Sequence, residues 1–466
     1  MASVPLQLTD QDRLRPALRS RVTAFVVALV LSACSLLPPR PDLGISYQGA
    51  STSPDRTPLI LIPGLFGSKL RRVTTGEEIW PGSWQSVLFS DYRELALRGS
   101  VDSPVEAFDL AEQVLGFDYY RPLLETLVRY GGYVRTRPGQ APPATGRALY
   151  VFPYDWRQDN ALHAVALERL IQQIRIDHHD PRLKVDIVAH SMGGVVARYY
   201  LRFGPRDVLG GDPGDITLYG AEHVRKLVLL GTPNFGSISA LEGMIGGEPV
   251  GLGRIPPDVI ATMPSVFQLL PHPLAPWLLD AQGHTVDADL YDTTTWRSFN
   301  MGIFARSRTA QRQQPSVDRE NIDERLFATY LERARRLAWM LSTPEPRSPI
   351  RYVLFGGNCE QTPARLQIRD VDGATRAQGP NTGFRGRASA HDLFEPGDGR
   401  VTKPSLLARE TLDPSAPQHE EAFLPLAYYF FLCERHDRLT SNPNFQDNLL
   451  HILLTPMLPW DALPRR

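Results

Sequence analysis

The run Val185-Asp186-Ile187-Val188-Ala189-His190-Ser191-Met192-Gly193-Gly194-Val195-Val196-Ala197 decides the fold. It reads as a strand buried on both faces, a sharp turn carrying a serine, and a helix, the frame known as a nucleophile elbow. Strand and helix nearly touch at such a turn, so the positions two before and two after the serine must be small. Ala189 and Gly193 meet that need. The turn exposes the Ser191 hydroxyl and aims the first helical N–H groups, including that of Met192, at a reacting carbonyl oxygen. The competing reading, a serine that only caps a helix, leaves the complete strand-turn-helix frame unexplained.

Working outward, short and nearly continuous apolar runs at 59–62, 148–152, 185–189, 224–230 and 352–355 predict strands of a parallel sheet, where alternation is lost because both faces are covered. Between the second and third, 160–176 places Leu162, Val165, Ala166, Leu170 and Ile174 at helical spacing, and a second helix is predicted over 192–203. Strand, helix, strand is the βαβ unit, so the fold class is α/β with an open, mostly parallel sheet and helices on both faces. Two stretches break the rhythm. Residues 75–120 carry Trp80, Trp84, Phe89, Phe117, Tyr119 and Tyr120, and 236–346 carry Phe267, Leu269, Leu270, Trp277, Leu278, Leu279, Trp296 and Trp339. Each reads as an insertion, either a satellite subdomain or a cap that offers apolar surface to an acyl chain.

A hydroxyl needs a base to act as a nucleophile at neutral pH, and an imidazole base needs a carboxylate to hold its tautomer. In the α/β-hydrolase fold the order is serine, acid, histidine. Phe394-Glu395-Pro396-Gly397-Asp398-Gly399-Arg400-Val401-Thr402 sets a lone acid between two glycines, which makes Asp398 the candidate, with Asp392, Asp370 and Asp372 weaker rivals. Downstream, His436 lies in a polar stretch just after the apolar run 427–432, His451 sits in an apolar helical run, and His419 in a Pro- and Glu-rich loop. The second oxyanion donor should come from the loop after an earlier strand. Leu59-Ile60-Leu61-Ile62-Pro63-Gly64-Leu65-Phe66 supplies that loop, with the N–H of Leu65 the candidate and Phe66 the alternative.

Lys plus Arg number 50 against 51 for Asp plus Glu, so no global field draws a nucleic acid or other polyanion. The 41 prolines and 36 glycines fall outside the apolar runs and predict long loops. Arg13, Arg15, Arg19 and Arg21, the apolar run 22–31 and Leu31-Ser32-Ala33-Cys34 follow the order of an export signal, and the run is too short to span a bilayer. Cys34 resembles the acylated cysteine of a bacterial lipobox, Pro38, Pro39 and Pro41 read as a stiff tether, and Ser35 in place of Asp points to the outer membrane, facing the periplasm. The organisation expected is a signal at 1–34, a tether at 35–57, the first core segment at 58–235 with its lid-like insertion at 75–120, a cap at 236–346, the second core segment at 347–456 and a tail at 457–466. If Cys34 is acylated, Cys359 and Cys433 remain, and in an oxidising compartment they are expected to pair; two buried thiols are the alternative.

Five ordered pieces, LILIPGLFGSKL from Leu59, PYDWR from Pro153, AHSMGG from Ala189, GDGRVT from Gly397 and HDRLTSN from His436, resemble the lecithin:cholesterol acyltransferase family, which includes lysosomal phospholipase A2 and phospholipid:diacylglycerol acyltransferases. The resemblance implies a triad of Ser191, Asp398 and His436, and an oxyanion hole of Leu65 and Met192. It implies transfer of an acyl group from a glycerophospholipid through an acyl-serine to an alcohol or water, with no metal or organic cofactor. The partner implied is an acyl lipid, and the Cys34 anchor adds a membrane surface. Mammalian members carry a disulfide in the first insertion, whereas 75–120 has no cysteine; Trp80 and Trp84 stand as candidate lid residues for a lipid interface, and Asp155 and Trp156 as scaffold. A carboxylesterase or triacylglycerol lipase is the alternative among enzymes, and a non-catalytic lipid-binding lipoprotein the alternative of another class.

Overall fold

Seven apolar segments align in parallel, because most are too apolar to leave either face in water. They are β1 (Leu59–Ile62), β2 (Tyr133–Arg135), β3 (Arg147–Val151), β4 (Val185–His190), β5 (Val224–Leu230), β6 (Arg351–Gly357) and β7 (Leu426–Leu432). Their spatial order is β7-β6-β5-β4-β1-β3-β2, and every neighbouring pair is parallel. In the register, Leu59 faces Asp186 and Leu61 faces Val188. Every residue of β1 and β4 is buried, which accounts for their unbroken hydrophobic runs. The edge strands β2 and β7 are only half-covered and therefore carry weaker sequence signals.

The computed structural model describes residues 40–83, 90–97, 104–114, 117–211, 215–305, 324–344, 350–371, 373–381, 390–420 and 422–455. Gly44–Arg466 cluster as one unit, and Met1–Leu43 as another, of which 40–43 are described. The candidate anchor Cys34 and the lid candidate Trp84 lie outside the described residues. Among the described residues, no helix is long and apolar enough to cross a membrane.

The main helices are α1 (Arg121–Arg129), α2 (Asn160–Asp177), α3 (Met192–Phe203), α4 (Glu324–Ser342) and α5 (Pro443–Leu454). The extent of α2 agrees with the expected 160–176, but its buried stripe is rotated. Ala161, Ala164, Leu167, Ile171 and Ile174 face the core, while Leu162 is 52% exposed. Both stripes have helical spacing; the stripe with the smaller alanines is the buried one, where α2 lies along α3. All twelve residues of α3 are buried. Two of them are arginines, and Arg198 and Arg202 both donate to the Leu341 carbonyl at the end of α4. These bonds replace the water each guanidinium lost on burial.

Three expectations need correction. Residues 44–57 are not a tether: the Tyr47 hydroxyl bonds the Asp447 carbonyl at 2.7 Å, and Asp55 pairs with Arg225 at 3.0 Å. Those polar contacts hold the segment against α5 and β5 despite its few apolar residues. Nor do the described residues of 236–346 form a subdomain with its own core, for Phe267, Leu270, Trp277, Trp296 and Phe327 join the apolar cluster that contains Ile187 and Leu229. Finally, Trp80 faces no lipid interface. It is 3% exposed, at the end of strand Glu78–Trp80, which pairs with Ser68–Arg72. Its ring sits 5.0 Å from Phe66, 5.3 Å from Tyr92 and 5.5 Å from Trp156.

Cys359 and Cys433 form a disulfide just past the ends of the neighbouring strands β6 and β7. The sequence separation of 74 implies a chain-entropy stabilisation of roughly 4 kcal/mol.

Candidate active site

Strand β4 ends and α3 begins at Ser191, whose backbone stands at φ 53°, ψ −125°. A non-glycine residue there carries about 1–3 kcal/mol of local strain. The surroundings impose it: Ser191 N–H donates to the Leu230 carbonyl at 2.8 Å, and its own carbonyl accepts from Gly194 at 3.0 Å. A Cβ placed on Gly193 would fall 2.4 Å from the Pro63 carbonyl oxygen, so the small residue is required there by the close approach of the neighbouring β1 end. The conformation lifts the hydroxyl off the carboxyl edge of the sheet, where β1 and β4 adjoin and the chain leaves in opposite directions.

Asp398 follows the short strand Phe394–Gly397, and His436 opens a 3-10 turn, His436–Ser441, beyond β7. The fold brings His436 to Ser191 across 245 residues and to Asp398 across 38: His436 Nε2 lies 3.0 Å from Ser191 Oγ, and Nδ1 lies 2.8 Å from Asp398 Oδ2. The Asp398 side chain is fully shielded from solvent. Its Oδ1 accepts the backbone N–H groups of Arg400 at 2.9 Å and Val401 at 2.7 Å, with Gly399 at φ 91° turning the chain back. The His436 N–H also donates to the Asp398 carbonyl at 2.8 Å. With Asp398 ionised, Nδ1 must be the donor, so Nε2 keeps its lone pair toward the serine. The rival acids Asp370 and Asp392 and the rival bases His419 and His451 are exposed.

Leu65 sits in the turn between β1 and the strand Ser68–Arg72. The turn lies so close to Ser191 that a Cβ on Gly64 would be 2.7 Å from the serine Cβ. The N–H groups of Leu65, Phe66 and Met192 make no hydrogen bond among the described residues. Phe66 is held at φ 63°, and its carbonyl accepts the Trp80 indole N–H at 2.8 Å. Trp80 thus acts on the site from beneath, by fixing the turn. In PYDWR, the Trp156 indole donates to the Ser68 carbonyl at 3.0 Å and Asp155 pairs with Arg157 at 2.7 Å, as scaffold residues should.

Two residues of the site carry no chemistry in the sequence reading. Tyr120 Oη accepts the Gly64 N–H at 2.9 Å and lies 2.8 Å from His190 Nδ1. Burial, and then the charge of His436, push His190 down to about 3, while burial raises Tyr120. In the sequence His190 is only one residue of AHSMGG, and Tyr120 only one aromatic of an insertion. No spacing rule connects residues 56 or 70 positions apart.

A buried carboxylate, an oriented imidazole, a partly buried serine hydroxyl and unengaged N–H groups are the parts of an acyl-transfer centre. Among the described residues, no group of three or more His, Cys, Asp and Glu side chains is disposed to hold a metal ion.

Residues 118–313 match the sequence model of the lecithin:cholesterol acyltransferase family. The lysosomal phospholipase A and acyltransferase of Bos taurus is 28% identical to this chain over 147 residues, 31% of this chain and 30% of its own length. The chain therefore spans less than a third of the curated relative it matches. A chain from the crystal structure of a Tle4–Tli4 complex superposes with a TM-score of 0.52 at 16% identity, over 85% of this chain and 98% of its own. That likeness, with the seven parallel strands, makes the fold an α/β hydrolase.

Proposed function

We propose that this chain is a serine-dependent lipid acyl hydrolase or acyltransferase that forms an acyl-serine at Ser191 from a glycerophospholipid. The observation that carries the reading is the continuous chain Ser191 Oγ, His436 Nε2, His436 Nδ1, Asp398 Oδ2, with links of 3.0 and 2.8 Å. In the first half-reaction His436 Nε2 takes the hydroxyl proton as Ser191 Oγ adds to the ester carbonyl. The oxyanion lies between the N–H groups of Leu65 and Met192, each worth roughly 3 kcal/mol to the transition state. His436 then gives its proton to the leaving lysophospholipid oxygen, and the C–O bond breaks. In the second half-reaction water or an alcohol gives its proton to His436 and adds to the acyl-serine, and the proton returns to Ser191 Oγ as it leaves. The lipid class is supported by the family match and by the Bos taurus relative's activity as a phospholipase and acyltransferase. Export and anchoring through an acylated Cys34 complete the proposal, supported by the arginines, apolar run and lipobox-like segment at 13–34.

The test gives the purified enzyme and Ser191→Ala a labelled phospholipid, with and without diacylglycerol, sterol or a long-chain alcohol. The expected outcome is fatty acid or new ester from the wild type alone, together with fluorophosphonate labelling of Ser191. Cleavage confined to triacylglycerol or soluble esters would move the assignment to a lipase or carboxylesterase. Absence of any Ser191 adduct would leave a non-catalytic lipid binder.

A further inference from the structure

We propose that Tyr120 and His190 are positioning residues that lock the oxyanion turn, the serine elbow and the base-bearing turn into one register. The inference rests on the acyl-serine reading of the site and extends it to groups that touch no reacting atom.

The tyrosine hydroxyl stands at the junction of all three elements. It accepts the Gly64 N–H at 2.9 Å, which commits the amide beside Leu65 and leaves the Leu65 N–H for an oxyanion. Because Oη is already an acceptor there, its proton is directed to His190 Nδ1 at 2.8 Å. His190 must therefore be the Nε2–H tautomer, and its burial keeps it neutral across working pH. The fit is close on both sides: a Cβ on Gly67 would lie 2.8 Å from Oη, and one on Gly64 would lie 3.3 Å from Nδ1. His190 is the last residue of β4, directly before Ser191, and its ring packs 5.0 Å from that of His436. The preceding residue completes the brace, for the Tyr119 carbonyl accepts the hydroxyl of Thr440 in the His436–Ser441 turn. One dipeptide at the start of α1 thus holds the oxyanion turn through a side chain and the base turn through its backbone.

If this brace positions the site, removing the hydroxyl alone should weaken transition-state binding and leave substrate binding intact. Tyr120→Phe keeps the ring and deletes Oη, which strands the Gly64 N–H without an acceptor. On a soluble short-chain ester, kcat should fall roughly 10- to 100-fold, less than the 10²–10³ expected when an oxyanion donor is removed outright. KM should stay within about twofold, and affinity for a trifluoromethyl ketone, whose adduct with Ser191 carries the oxyanion, should fall by the same factor as kcat. His190→Gln, which retains an acceptor for Oη, should keep more activity than His190→Leu, so this pair decides the question if Tyr120→Phe fails to fold. Unchanged kcat and ketone affinity in a folded Tyr120→Phe would overturn the proposal, as would a raised KM with kcat intact, or equal losses in the two His190 variants. A wild type that no fluorophosphonate labels overturns the reading of the site itself, and the brace with it.

Discussion

Replacing Asp398 by asparagine tests the site most sharply, because the exchange keeps shape and volume and changes only which atoms donate. Oδ1 accepts two backbone N–H groups, at 2.9 and 2.7 Å, and Oδ2 accepts His436 Nδ1 at 2.8 Å. In Asp398→Asn the amide oxygen must take the Oδ1 position. The reverse orientation would set an NH₂ against two N–H donors in a site closed to water, at about 1–3 kcal/mol for each buried group left unpaired. The NH₂ then faces Nδ1, which can only accept, so the imidazole proton moves to Nε2 and points at Ser191 Oγ. The histidine can no longer take the serine proton. Inverting the tautomer in this way lowers kcat by about 10⁴ in a Ser-His-Asp site, close to 5 kcal/mol of barrier. The assay is kcat on a soluble ester and the second-order rate of fluorophosphonate labelling, with near-ultraviolet circular dichroism to establish the fold. A folded Asp398→Asn enzyme within tenfold of wild type would refute the reasoning.

The remaining predictions concern stability. His190, His272 and His163 are buried and held down to about 3, 3 and 4, mainly by desolvation. Between those values and the usual 6.5 the unfolded chain binds protons that the folded chain refuses, so stability is full above about pH 6.5 and falls as pH drops, by ~2 kcal/mol per histidine at pH 5. Urea midpoints that stay flat from pH 7 to pH 5 would contradict this. Breaking the Cys359–Cys433 bridge with Cys→Ser at both positions, or with a dithiol reductant, should lower Tm by roughly 5 °C. It should also reduce kcat, since Cys433 lies three residues before His436. Identical melting curves with and without reductant would show that the bridge contributes nothing.

Local physics made part of this protein legible in its sequence. β1, β4 and β5 read correctly because strands covered on both faces need unbroken apolar runs, and a parallel sheet follows from the helices between them. The elbow at Ser191 was legible for the same reason: a tight strand-to-helix turn demands small neighbours, and Ala189 and Gly193 record that demand. Asp398 and His436 could be named as candidates from turn chemistry, chain order and motif resemblance. The relay from Asp398 to His436 at 2.8 Å and from His436 to Ser191 at 3.0 Å is a property of strand order, since β5, β6 and β7 follow β4 in turn on the flank opposite β1.

What the sequence could not convey depends on contacts between distant segments. Helical periodicity allows more than one stripe on α2, and packing against α3 chose the alanine face over Leu162. An aromatic in an insertion suits an interface or a core equally well, and only the rings around Trp80 decided for the core. Tyr120 and His190 have no mutual spacing signal, because a hydrogen bond across 70 residues exists only once β4 and the start of α1 have been brought side by side. Local patterning was enough for the five strands covered on both faces, the elbow and the chemical types available. Tertiary structure decided which of those groups share a proton, because hydrogen bonding acts over about 3 Å and chain order does not measure distance in space.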